Sequence, residues 1–217
     1  MADIFQEVDE EVRRERLKQL WDRYGVYFIV LIVLVIAGVA GWRGYQWYEA
    51  KKAAEAGAAF EQAAALSAAD KHKEAEAAFA KIAGEAPAGY RLLARLREAA
   101  ALAQSDTKAA VALYDKIAAD GSIDRTMRDL AAVRAAMLLV DAASLEDMRG
   151  RLEPLAVADR PFRHTAREML AMSAWRANDV AAARKYIDMI VGDAATPPGT
   201  RQRIEVLTAL ISPESKG

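Results

Sequence analysis

Cysteine is absent from the 217 residues, so disulfides, thiolate zinc sites and cysteine nucleophiles are excluded. Histidine occurs only at His72 and His164, far apart in the sequence, which is poor spacing for a histidine metal site. The chain contains no phosphate-cradling glycine loop, no G-x-S-x-G and no H-E-x-x-H. An excess of one charge is also missing. The formal net charge is −1, from 30 Lys/Arg and 31 Asp/Glu. The first fifty residues hold six of the basic and eight of the acidic residues, which leaves 24 and 23 for the remainder. A near-neutral body lacks the basic surface that non-specific nucleic-acid binding requires. The carboxylate pairs Glu74/Glu76 and Glu146/Asp147 lie among basic residues on expected helix surfaces, where such pairs form solvated faces rather than acid–base sites. Neither an enzyme, a cofactor nor a small-molecule substrate is expected from these residues.

Alanine is plentiful, with 49 residues, while β-branched residues are scarce outside residues 25–42. Alanine is the strongest intrinsic helix former, so this composition predicts an all-α chain. Residues 25–42 read GVYFIVLIVLVIAGVAGW without a charge. As a helix they span about 27 Å, close to the hydrocarbon thickness of a bilayer. Trp21, Tyr24 and Tyr27 stand at one end, and Trp42, Tyr45, Trp47 and Tyr48 at the other. Aromatic belts at both ends suit two membrane–water interfaces, with Trp21, Tyr24, Trp42 and Tyr45 as the interface residues. The segment before the run is long and rich in acidic residues, unlike the short basic start of a cleaved signal peptide. Arg13, Arg14, Arg16, Lys18 and Arg23 precede the run, whereas Arg43, Lys51 and Lys52 follow it. That bias predicts a cytosolic N-terminus and a C-terminal domain on the opposite side.

The expected layout is therefore a cytosolic amphipathic segment over 1–24, a transmembrane helix over 25–42 and a juxtamembrane linker or helix extension over 43–52. A helical domain follows over 53–211, with a frayed tail over 212–217. In the first segment Ile4, Val8 and Val12 recur at helical spacing with Phe5 beside them, and Leu17, Leu20 and Trp21 continue the stripe. This fits either an amphipathic helix on a membrane or partner, or a plain lead-in to the transmembrane helix.

One pattern recurs in the helical domain: alanine, three residues, an aromatic, then apolar residues three and four further on. It runs Ala75–Phe79–Ile82–Ala83, Ala110–Tyr114–Ile117–Ala118 and Ala182–Tyr186–Met189–Ile190. Phe79 and Tyr114 are 35 residues apart, and Tyr114 and Tyr186 are 72 apart, two periods of 36. A copy without the aromatic is expected around Met148, Leu152 and Leu155. Breaks are expected at Asp70, Ala86-Pro87-Ala88-Gly89, Asp120-Gly121-Ser122, Asp159-Arg160-Pro161 and Thr196-Pro197-Pro198-Gly199. The stretch Thr200 to Ile211 then reads as a capping helix. Arg91, Arg95 and Arg97 share one expected helix, as a salt-bridged face or as the lining of a groove for acidic peptide ends.

A period near 34 residues with paired helices resembles the tetratricopeptide-repeat family. Residues 169–190 carry the resemblance most clearly, with Asn178-Asp179 in the polar turn and Pro87 at the repeat-end position of an earlier copy. The family's glycines are mostly replaced, so the repeats are degenerate. In such repeats the small residue (Ala75, Ala110, Ala182) faces the first helix of the pair, and the aromatic (Phe79, Tyr114, Tyr186) fills the space between repeats. The fold expected is an α-solenoid behind one transmembrane helix.

The whole arrangement resembles the YfgM family, ancillary subunits of the SecYEG translocon. The string DIFQEVDEEVRRERLKQLWDRYG is similar to its alphaproteobacterial members. The resemblance implies a non-enzymatic protein of the bacterial inner membrane, with its C-terminal domain in the periplasm. Its partners would be translocon subunits, periplasmic chaperones and secreted clients, besides the lipid bilayer. It carries no catalytic or ligand-contact residue across. Two alternatives stay open: a tetratricopeptide scaffold for outer-membrane-protein or cell-wall assembly, and a transmembrane sensor.

Overall fold

A computed structural model of the chain describes the backbone of residues 3–211 and the side chains of residues 13–211. The stripe at Ile4, Phe5, Val8 and Val12 and the tail at 212–217 lie outside the described side chains. The described residues are helical throughout, joined by short turns and without a strand. The helices are α1 (Asp3–Ala68), α2 (His72–Glu85), α3 (Ala88–Leu102), α4 (Thr107–Ala119), α5 (Arg125–Leu139), α6 (Leu145–Leu152), α7 (Arg163–Arg176), α8 (Val180–Val191) and α9 (Pro198–Ile211). A 3-10 turn, Glu153–Leu155, follows α6. The chain divides into two units, Met1–Glu55 and Ala56–Gly217.

The first unit consists of the earlier part of α1, which includes residues 25–42 and 43–52. Its large apolar side chains from Val26 to Ile36 are all exposed. Among the described side chains of this unit only Gly25 is buried, beneath the Trp21 indole.

In the second unit each helix packs against its sequence neighbours from α2 to α9, and α9 also lies against α7. Local chemistry sets the ends. Asp106, Asp124, Ser144 and Asp179 precede α4, α5, α6 and α8, and each side chain accepts a backbone N–H of the first turn at 2.9–3.1 Å. These caps satisfy N–H groups that have no partner within the helix. Asp70 and Asn178 both adopt φ 58°, the left-handed conformation that ends a helix and that Asp and Asn tolerate better than most side chains. Two boundaries differ from the sequence expectation. Pro87 directly precedes α3, so Ala88 and Gly89 already belong to it. Pro198 opens α9, two residues before the expected start, because proline's missing N–H costs nothing in a first turn.

Three core clusters fill the second unit. One joins the end of α1 to α2 and α3 through Ala63, Ala75, Phe79, Ile82, Ala94 and Ala101. A second joins α3, α4 and α5 through Ala99, Val111, Tyr114, Ile117, Ala131 and Ala135. The third and largest runs from Val133 to Ile211 and includes Met148, Leu152, Leu170, Ile190 and Ile204. Phe60 of α1 meets the Phe79 ring edge-on at 5.2 Å and the Tyr90 ring at 6.2 Å. Gly57 makes room for Tyr90, since a Cβ there would lie 2.9 Å from its hydroxyl.

Candidate functional site

The aromatic side chains that flank the apolar run are exposed: Trp21, Tyr24, Trp42 and Tyr45. Each pair is three residues apart, and the pairs are separated by 21 residues, about 32 Å of helix. Beyond the second pair, Lys51 lies over Trp47 at 5.7 Å and Lys52 over Tyr48 at 4.6 Å. These cations face ring surfaces beyond the end of the apolar run. The helix is long and apolar enough to cross a membrane, and its apolar stretch is almost unburied. A core helix would be mostly covered, so this is a candidate membrane span.

In the helical domain Ala75 and Phe79 lie on α2, Ala110 and Tyr114 on α4, and Ala182 and Tyr186 on α8, and all six are buried. Met148, Leu152 and Leu155 are buried on α6 and the 3-10 turn. The Tyr114 hydroxyl donates to the Leu96 carbonyl at 3.3 Å, and the Tyr186 hydroxyl donates to the Glu153 carboxylate at 2.7 Å. Burial pushes both phenols above their ordinary range.

Tyr114 also forms part of a groove of about 430 Å³. Phe60 from α1, Leu93, Leu96, Arg97 and Ala100 from α3, and Leu130 and Arg134 from α5 complete it. Its floor is apolar, and Leu93, Arg97, Ala100 and Arg134 are exposed to solvent. Arg134 and Arg97 are close enough to Tyr114 to oppose the upward push on its phenol. The three arginines named from sequence thus separate. Arg95 binds Asp120 at 3.0 Å, Arg97 lines the groove, and Arg91 is exposed outside it. They are neither one salt-bridged face nor one lining: Arg91 and Arg95, four residues apart, share a side of α3 but only Arg95 is paired, and Arg97, two residues on, lies on another side. Asp120 is held down to about 2 by the Ser122 hydroxyl and then by Arg95.

A polar network was not anticipated from sequence. Arg163 and Arg167 of α7 hold Asp193 at 2.8 and 3.0 Å. Arg167, itself buried, also donates to the Ala156 and Met189 carbonyls. The Arg163 hydrogen bond, aided by the Ala195 N–H, holds the Asp193 carboxyl well below the usual carboxylate range. His164 shares a 3.1 Å hydrogen bond with Thr196, and burial followed by the nearby Arg163 charge pushes its imidazole down. Arg160 binds Asp129 at 2.9 Å, Arg151 binds Asp115 at 2.7 Å, and Arg203 forms a two-point bond to Glu168. These arginine–carboxylate bonds join residues 26–36 positions apart, roughly one repeat. That spacing was the signal available in the sequence.

The other polar candidates are accounted for locally. Glu74 pairs with Lys71 across an exposed turn, and Asp147 is bonded to the capping Ser144 hydroxyl. His72 lies 3.7 Å from Asp70. Among the described residues no three His, Asp or Glu side chains come together as a metal site.

Residues 18–167 match the profile described as a tetratricopeptide repeat-like domain. The match includes the candidate span and stops within α7, before the copy at 169–190 that carries the clearest sequence pattern. No curated protein and no solved structure matches the chain. The family match covers more than two thirds of the sequence and agrees with the paired helices and recurring buried positions: the chain belongs to the tetratricopeptide repeat-like domain family.

Proposed function

We propose that the chain is a non-enzymatic, membrane-anchored protein-interaction module of the bacterial inner membrane. Domains of the tetratricopeptide-like kind are typically scaffolds that bind other proteins. The observation that carries the reading is the pairing, in one chain, of an uncovered 25–42 run with such a domain. Residues 25–42 cross the bilayer, with Trp21, Tyr24, Trp42 and Tyr45 at its two interfaces. The Lys/Arg bias supports a cytosolic N-terminus and a periplasmic helical domain. In the YfgM-like reading, the domain stands beside the SecYEG translocon and passes emerging clients to periplasmic chaperones. Ala75, Phe79, Ala110, Tyr114, Ala182 and Tyr186 set the packing of its repeats. Anchoring supports this role because confinement at the membrane raises the effective concentration of the domain near an exit site.

Crosslinking in native membranes tests the assignment. Translocon subunits are the expected products. Recovery of only outer-membrane-protein or cell-wall assembly factors would replace it with the envelope-scaffold reading. A C-terminal reporter active in the cytosol would overturn the orientation.

A further inference from the structure

The two ends of the apolar run differ in local charge. Residues 1–24 hold five Lys/Arg and seven Asp/Glu, a net of −2. Residues 43–52 hold Arg43, Lys51 and Lys52 against Glu49 alone, a net of +2. The end with fewer basic residues is thus the one with a positive balance.

Helix direction adds a second difference. Side chains on a helix lean toward its N-terminus. Beyond the C-terminal end of the run that lean is back toward the apolar segment, whereas before its N-terminal end it is away from it. Lys51 and Lys52 follow this direction. Their ammonium groups lie over the rings of Trp47 and Tyr48, four residues back, at 5.7 and 4.6 Å. Trp47 and Tyr48 stand about 7.5–9 Å past Trp42 along the helix axis. The headgroup layer on each side of a bilayer extends about 5–7 Å beyond the hydrocarbon. Rings that lean back from those positions, with ammonium groups over them, reach the depth of the lipid phosphates.

Arg43 directly follows the run, and Arg43, Trp47 and Lys51 recur at intervals of four, on one face of α1. All five side chains are exposed. A guanidinium offers a phosphate two parallel donors, and an ammonium resting on a ring keeps N–H groups for a phosphate oxygen.

We propose that Arg43, Lys51 and Lys52 bind the phosphate of an anionic phospholipid at this end of the span, with Trp47 and Tyr48 holding the two ammonium groups at phosphate depth. The proposal rests on the reading that residues 25–42 cross the bilayer. A zwitterionic lipid brings its own cation beside the phosphate, so the positive balance of residues 43–52 selects the anionic headgroup.

The test is native mass spectrometry of the full chain in detergent micelles with equal amounts of phosphatidylglycerol and phosphatidylcholine. Adducts with phosphatidylglycerol should predominate. Arg43→Gln, Lys51→Gln and Lys52→Gln together should lower the apparent affinity for it at least about tenfold. Lys73→Gln, Lys81→Gln and Lys108→Gln remove the same charge from exposed positions of the second unit and should leave it unchanged. Trp47→Leu with Tyr48→Leu keeps the charges and should still lower it about threefold. Unchanged helical circular dichroism establishes that the variants fold. Equal adducts with the two lipids, a preference that survives the triple substitution at 43, 51 and 52, or one that is lost with the substitutions at 73, 81 and 108 overturns the proposal. Unchanged affinity without the two rings overturns their part in it. Glycerol 3-phosphate bound as tightly as phosphatidylglycerol makes this a site for a soluble phosphate and also overturns it. Carbonate extraction of membranes separates the two readings. A chain that resists extraction but shows no lipid preference keeps the span and loses the site, whereas an extracted chain loses both.

Discussion

The two halves of the helical domain are built differently. From Val133 onward one continuous core contains Met148, Leu152, Leu170, Ile187, Ile190, Ile204 and Leu207, and arginine–carboxylate bonds tie α7 to α9 and to the turn after α8. Before it, two smaller clusters have alanine at half or more of their buried positions, with Phe79 and Tyr114 as the large anchors. The polar groups follow the same division. Arg163, Arg167 and Arg203 hold carboxylates within the later half, while Arg97 and Arg134 border the groove without one. The later half joins α7 to α9 and to the turn after α8 through charge pairs, and the earlier half has an open groove with apolar and arginine side chains. Binding surfaces are commonly drawn from the less stable parts of a fold, where fewer apolar contacts hold the backbone.

The largest expected effect breaks the earlier half alone. Phe79 is 1% exposed and contacts Phe60. Phe79→Ala should cost about 4 kcal/mol of local stability. Native-state hydrogen exchange should then show lost protection over α2 and α3, with α7 and α8 unchanged. Equal loss in α7 and α8 would mean that the halves form one cooperative unit.

Arg167→Met probes the later half at its buried polar centre. It leaves Asp193 with one fewer donor and removes bonds to two carbonyls. A loss of about 2–3 kcal/mol is expected, read as a shift of urea midpoint without a change in slope. A neutral result would show that the network is dispensable.

Acid should destabilise both halves, the later one over the wider pH range. A carboxyl lowered in the folded state stabilises fully above its unfolded pKa, and that stabilisation is lost as pH falls toward its folded pKa. For Asp120 the window runs from 3.8 down to about 2. Asp193 starts from the same 3.8 and is held lower, so its window extends further. His164 adds an earlier loss below 6.5, because its folded-state imidazole is lowered and the unfolded chain takes up the proton first. Urea midpoints measured across this range should fall with pH, and Asp193→Asn should flatten the acidic part of the fall.

The smallest effects lie at the helix ends. Asp106→Ala before α4 and Asp179→Ala before α8 should each cost about 1 kcal/mol, measured by thermal unfolding. Asp179 also pairs with Arg149 at 3.4 Å, so its loss should be the greater of the two. A larger loss at Asp106 would mean that the tie to α6 adds nothing.

The legibility of these features in the sequence follows from their physics. The all-α class and the apolar run were readable because alanine content and an uncharged stretch act locally, independent of packing. Breaks carrying proline or glycine were visible. The turns at 103–106 and 140–144 were not singled out, since alanine, glutamine and serine there resemble helix surface, although Asp106 and Ser144 were cap signals. The groove was mostly hidden. Tyr114 reads from sequence as repeat packing, and Arg97 as part of either a salt-bridged face or a groove lining, but Phe60, Leu93, Leu130 and Arg134 look like ordinary helix residues until α3 and α5 are known to be equivalent. The arginine–carboxylate bonds were equally obscure, because each joins residues about one repeat apart and needs a register that degenerate repeats blur.

Site-specific photocrosslinking in native membranes tests most directly whether the earlier half is the partner surface. A photoreactive residue is placed at Leu93, in the groove and 45% exposed, or at Val206 on α9, 60% exposed. Polypeptide adducts are expected from Leu93, and few or none from Val206. Adducts from Val206 alone would contradict the division of the domain into a stapled half and a half with an open groove.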